Sequence, residues 1–235
     1  MDIILVPGLW LDASSWDGTV RALEAAGHRA RPLTMPGVGE PAAQSSDIGI
    51  TDWVAATVAE IDRAASPVVL VGHSGGGNVV WGAADARPDR VARVIFVDTV
   101  PPAPGCGISE FEVTDGVIPF PGWEFFGDEA ADIPADAASE WAARAKSVPA
   151  KVPTDEISLT DERRFDVPVT LLMGGADEAE LRAQLAEWGP WADEFGAIRS
   201  VEVVKLGTGH WPQFSQPAAF ERALVAVVPE PVEGR

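Results

Sequence analysis

Ser66-Pro67-Val68-Val69-Leu70-Val71-Gly72-His73-Ser74-Gly75-Gly76-Gly77-Asn78-Val79-Val80 is the stretch on which the fold of this chain is decided. The apolar run from Pro67 to Val71, rich in β-branched side chains, predicts a strand covered on both faces. Gly72, Gly75, Gly76 and Gly77 then crowd around one serine. Gly-x-Ser-x-Gly between a strand and a helix predicts a sharp turn that lifts Ser74 Oγ above the sheet edge. The helix that follows directs its first N–H groups toward the serine, where negative charge develops in acyl transfer.

Outward from this turn, strand and helix signals alternate. Ile3 to Val6, His28 to Met35, Val91 to Val97, Val167 to Met173 and Val201 to Leu206 read as strands. Between them lie helices capped by Ser14 or Ser15 and by Thr51 or Asp52. A further helix carries Leu181, Leu185 and Trp188, and a closing one runs from Gln216 to Val228. Connections of crossover length demand an α/β fold, a mostly parallel doubly wound sheet of about six strands with helices on both faces. The alternation breaks between Thr99 and Asp166, where no strand is predicted and one helix, Ala135 to Ser147, stands out. A structureless connection of that length is unusual, so 99–166 reads as a lid inserted into a core formed by 1–98 and 167–235. Pro229 to Arg235 reads as a frayed tail.

The 235 residues, 46% of them hydrophobic, suffice for one substantial core. A net charge of −19, with lysine only at 146, 151 and 205, disfavours nucleic acid and anionic membranes as partners. Cys106 is the single cysteine, which excludes an intrachain disulfide and suits a reducing cytoplasm. Neither a signal peptide nor a membrane span is expected, and a cytoplasmic location follows as an expectation.

A serine nucleophile needs a base within hydrogen-bond reach. Of three histidines, His28 opens a strand and His73 points away from the reacting face of Ser74. His210, on a loop after the last strand, reaches the carboxyl edge of the sheet, where open parallel sheets bind ligands. Two aspartates lie at strand tips to orient it. Asp177 is favoured because it completes the chain order Ser74, Asp177, His210; Asp98 is the competitor, with a loop-capping role as its other reading. The oxyanion donors expected are the N–H groups of Gly75 and of Leu9, with Trp10 as the substitute for Leu9. Trp10, Trp123, Phe125, Trp211 and Phe214 lie on segments expected to face the site and are candidates for substrate binding.

Leu5-Val6-Pro7-Gly8, Gly72-His73-Ser74-Gly75-Gly76, Met173-Gly174-Gly175-Ala176-Asp177 and Gly209-His210-Trp211-Pro212 follow the order of the α/β-hydrolase superfamily. Nearly the whole chain resembles that family, most of all its small esterases near the plant methylesterase and hydroxynitrile lyase branch. The resemblance implies an α/β-hydrolase fold, a Ser-His-Asp triad, a covalent acyl-enzyme, and no cofactor or metal. Most members carry His-Gly where this chain has Pro7-Gly8. Trp211 stands where the hydroxynitrile lyases place a lysine, which argues against cyanohydrin cleavage. Ser74 stands where haloalkane dehalogenases carry aspartate, which argues against dehalogenation. The expectation is a serine esterase acting on a small, fairly apolar carboxylic ester, with a preference for short acyl groups. The alternatives are an amidase, a lactonase, a carbamate hydrolase, a cofactor-free haloperoxidase-like enzyme, or a non-catalytic receptor of the same fold. Expected partners are a small-molecule ester and, at most, a second copy of the chain in a homodimer.

Overall fold

The computed structural model describes residues 1–229; from residue 230 on, the tail expected from the sequence lies outside the described residues. Eight strands run β1 (Asp2–Val6), β2 (Arg29–Pro32), β3 (Val68–His73), β4 (Val91–Val97), β5 (Val117–Ile118), β6 (Val148–Pro149), β7 (Val169–Met173) and β8 (Val201–Lys205). Six of them form one sheet in the order β2-β1-β3-β4-β7-β8, and every pairing in it is parallel. The α-helices among the described residues are α1 (Asp17–Ala25), α2 (Ala42–Ser45), α3 (Ile50–Arg63), α4 (Gly76–Ala86), α5 (Ala135–Arg144), α6 (Glu178–Leu185), α7 (Pro190–Ala197), α8 (Pro212–Ser215) and α9 (Pro217–Val227). Among the described residues no helix is long and apolar enough to cross a membrane.

Successive side chains of a strand point to opposite faces, so the apolar runs of β1, β3 and β4 feed two cores at once. Ile3, Leu5, Val69, Val71, Ile95 and Val97 pack with Trp16, Leu23 of α1, and Phe220 and Leu224 of α9. Ile4, Val6, Leu70 and Phe96 face the other way, against Trp53 and Ile61 of α3, Val80 of α4 and Phe195 of α7. Each large side chain buried this way stabilises the fold by about 1.5–3 kcal/mol. A buried ionic cluster braces the second layer. The Arg164 guanidinium grips Glu194 of α7 with two hydrogen bonds, 2.7 and 2.9 Å, and reaches Asp85 of α4 at 3.2 Å. The Trp81 indole N–H of α4 also donates to Glu194, at 2.7 Å. α4 and α7 are thereby tied to one another.

Several element boundaries depart from the sequence expectation for local reasons. Asp12 replaces Ser14 or Ser15 as the first cap, because its carboxylate accepts the Ser14 N–H at 2.9 Å and opens a 3₁₀ turn before α1. Gly49 is the cap residue of α3, and Asp52 reaches back to its N–H at 2.9 Å. The second strand shrinks to four residues. Trp188 falls outside α6, since Gly189 turns left-handed (φ 54°) and Pro190 starts a separate helix. Residues 99–166 leave the sheet between β4 and β7. They hold, besides α5, the small antiparallel pair β5–β6 and a 3₁₀ segment, Trp123–Ala130. A two-residue strand carries too little alternation to be read from sequence.

Candidate active site

β3 ends at His73 and α4 begins at Gly76, leaving Ser74 and Gly75 to turn the chain. Ser74 adopts φ 52°, a left-handed backbone that a side-chain-bearing residue rarely takes. The turn is held by Ser74 N–H donating to Val97 O (3.1 Å) and Gly77 N–H donating to Ser74 O (2.8 Å). It is also tight: a Cβ on Gly72 would sit 2.6 Å from Gly76 O, and one on Gly76 would sit 2.6 Å from the carbonyls of Val6 and Pro7. Trp10 (φ 65°) and Asp98 (φ 46°) share the left-handed conformation at the same sheet edge. Strain gathered in one place marks a site whose geometry the surrounding fold over-determines.

His210 hangs from the loop after β8. Its Nδ1 lies 2.7 Å from Asp98 Oδ2, both side chains being about four-fifths buried. Asp98 follows β4 directly, and its other oxygen accepts the Gly174 N–H at 2.7 Å. Burial works against its charge, but the hydrogen bond and electrostatic attraction of the His210 imidazole, with the Gly174 N–H, hold the carboxyl below the ordinary aspartate range. An Nδ1–H directed at a carboxylate leaves Nε2 of His210 with its lone pair, the tautomer a general base requires. Ser74 and His210 line the same cavity.

The structure brings Asp98, and not the expected Asp177, to His210. Asp177 is exposed and caps α6: its carboxylate accepts the Glu180 N–H at 2.9 Å, while Glu180 accepts the Asp177 N–H at 2.8 Å. The reason lies at Gly174. A Cβ there would stand 2.5 Å from Thr208 O and 3.0 Å from Asp98 Oδ1. The tip of β7 thus passes directly against the histidine loop, and by Asp177 the chain has already turned outward into its helix.

His73 is fully buried on the other side of the histidine. Its Nε2–H donates to the His210 carbonyl at 2.8 Å, and the Gln213 amide approaches Nδ1 at 3.3 Å. Burial first, and the charge of neighbouring His210 second, hold the His73 imidazole down at about 3, so it is neutral. The tip of β1 closes over it, since a Cβ on Gly8 would come 2.8 Å from His73 Nδ1. His28, by contrast, is at the opposite end of its strand, with its pKa lowered by burial and by the N-terminal charge.

The cavity measures about 590 Å³. Leu9 and Gly75 border it beside Ser74, Gly75 being the cap residue of α4. Its walls are aromatic: Trp10, Phe111, Phe125, Phe126, Trp191 and Trp211. Trp10 meets Phe111 edge-on at 4.8 Å, and Phe126 meets Trp211 likewise at 4.8 Å. Of the expected substrate-binding residues, Trp10, Phe125 and Trp211 do line the cavity. Trp123 does not: its indole N–H donates to Ala138 O (2.7 Å) and its ring backs Trp211 from behind at 5.0 Å. Phe214 likewise turns away, to stack on Trp141 at 4.2 Å. Trp188 and Trp191 were not foreseen as lining. Their signal was the spacing Trp188-Gly189-Pro190-Trp191, a helix break flanked by two indoles. Among the described residues Glu129 is the one carboxylate on the wall, and none of them places a lysine or arginine there.

The chain is similar to several known proteins. Over 110 residues the chain is 41% identical to the esterase PIR7B of Oryza sativa subsp. japonica, a match covering 43% of this chain and 40% of that one. The chain therefore spans about two fifths of the length of that relative. It is 26% identical over 247 residues to the carbendazim hydrolyzing esterase of Nocardioides sp., covering 96% of this chain and 99% of the other. The solved structure of an extracellular alpha/beta-hydrolase from a Paenibacillus species superposes with a TM-score of 0.74 at 19% identity, over 96% of this chain and 98% of that one. Residues 3–223 match the family model described as the alpha/beta hydrolase family, and the chain belongs to that family.

Proposed function

We propose that this protein is a serine hydrolase that cleaves a small, uncharged and largely apolar carboxylic ester. The observation that carries the reading is the 2.7 Å contact of His210 with Asp98 beside a cavity that Ser74 also faces. Ser74 Oγ bonds to the ester carbonyl carbon as its proton passes to His210 Nε2, and the carbonyl electron pair moves onto oxygen. The N–H groups of Leu9 and Gly75 meet that oxyanion. Asp98 stabilises the imidazolium without taking its proton. Collapse expels the alkoxide, which receives the proton from His210 and leaves as the alcohol. Water then gives a proton to His210 as its oxygen attacks the acyl-serine, and the carboxylic acid departs as Ser74 is re-protonated.

Residues 99–166 act as a lid in this reading, because Phe111, Phe125 and Phe126 all come from that segment. Aromatic walls without a cation disfavour substrates carrying a free carboxylate. The full-length likeness to an enzyme named for carbendazim hydrolysis favours a carbamate as the second reading. A fluorophosphonate probe is expected to label wild-type protein once, at Ser74, and to leave Ser74→Ala unlabelled. Labelling of the alanine variant, or an active but unlabelled wild type, overturns the proposal. A p-nitrophenyl series from acetate to laurate, with the matching methylcarbamate, separates short-acyl esterase from carbamate hydrolase.

A further inference from the structure

The loop that presents His210 does not stand alone. Gly209 N–H donates to the Asp132 carboxylate at 2.8 Å, and His210 N–H donates to the Glu129 carbonyl at 2.9 Å. The approach is so close that a Cβ on Gly209 would collide with both the Glu129 carbonyl and the Asp132 carboxylate. From the far side, His73 Nε2–H fixes the His210 carbonyl. The peptide groups flanking the imidazole are therefore gripped by His73 at the end of β3 on one side and by residues 129–132 on the other. The segment running into 129–132 is also part of the cavity wall, through Phe125 and Phe126.

We infer that Asp132 is a positioning residue for His210, through which the inserted segment that walls the substrate cavity also sets the placement of the base. The inference rests on the serine-hydrolase reading above. Asp132 touches neither substrate nor the imidazole. It acts on the backbone of the loop, and a base displaced by about 1 Å can lose about 10²-fold in rate. Because Asp132 holds the loop of the base and does not line the cavity, its loss falls on the chemical step rather than on affinity. Joining the two functions in one segment means that whatever moves Phe125 and Phe126 outward also pulls on the Gly209 and His210 amides. The inserted segment then has two tasks: it covers the acyl site, and it holds the base ready when the cover is in place.

Steady-state hydrolysis of p-nitrophenyl acetate by the full chain tests this. Asp132 is exposed, so its variants disturb no packing. Asp132→Ala is expected to lower kcat about three- to ten-fold, the net size of one solvent-exposed hydrogen bond, with KM changed less than about two-fold. Asp132→Asn keeps an oxygen acceptor and is expected to recover most of that loss. Gly209→Ala, which forces the two segments apart, is expected to lose about 10²-fold. An Asp132→Ala enzyme with wild-type kcat, a loss that appears in KM alone, or an asparagine variant as slow as the alanine one overturns the inference. Ser74→Ala run in parallel separates the two levels. If it is inactive while Asp132→Ala matches wild type, only the positioning role fails; if it turns over normally, the hydrolase reading fails and the positioning role with it.

Discussion

Asp98 and Asp177 sit beyond the tips of adjacent parallel strands, β4 and β7, at the same edge of the sheet. Asp98 follows its strand at once, in a left-handed backbone, with one oxygen on His210 and the other on Gly174 N–H. Asp177 lies four residues past its strand, exposed, and closes the first turn of α6. The difference shows that a carboxylate's role follows from what its neighbours leave for it to do. Asp98 is held in a largely buried niche between an imidazole and one backbone N–H. Asp177 faces solvent and four orphan helix N–H groups, and satisfies one of them.

The largest effect that could break this contrast is on turnover. Asp98→Asn is expected to lower kcat about 10³–10⁴-fold, because an amide can favour the wrong tautomer of His210. Asp177→Asn should leave kcat within about two-fold; equal losses in the two variants, measured on one ester, would erase the distinction. The second effect is on stability in acid and sets Asp98 against His73, which holds His210 from the other side. Folded His73 stays neutral down to about pH 3, whereas the unfolded chain takes up that proton below about 6.5. Stability is therefore fully present above pH 6.5 and is lost as pH falls. Between pH 6.5 and 4 the loss is expected to be about 3 kcal/mol. Asp98 acts in the same direction, but only below its unfolded value near 3.8, where its depressed carboxyl begins to titrate in the unfolded chain first. Urea midpoints across this range should fall steeply for wild type and flatten above pH 4 for His73→Gln. The smallest effect belongs to Asp177→Ala, which removes the helix cap and should lower Tm by about 2–4 °C with activity intact.

Much of the site was legible because its parts are local. The serine turn follows from a strand, a serine and four glycines within a few residues, and a glycine-rich turn of this kind admits one backbone course. His210 was found by elimination among three histidines, and by its place after the last strand. Trp10 and Trp211 adjoin those segments and so reached the cavity as expected. Trp123 and Phe214 are equally aromatic, yet they turned into a satellite core around Leu11 and Ile133. Aromatic identity reports burial, and burial against substrate or against protein is decided by neighbours far along the chain.

The order of apolar and polar residues determined by itself that this chain forms a parallel sheet layered by helices. A strand buried on both faces and a helix buried on one have different periods, and those periods are written locally. It also determined the serine turn around Ser74, since sharp backbone reversal and close approach both require glycine at set offsets. The partner of His210 was decided only in three dimensions. Chain order pointed to Asp177, but sheet order brought Gly174 against the histidine loop and left Asp98 as the carboxylate within reach. A hydrogen bond between residues 112 positions apart depends on which strand tips meet at the sheet edge. The grip of Asp132 on Gly209 was hidden for the same reason: its donor and acceptor meet only after the inserted segment has folded over the sheet.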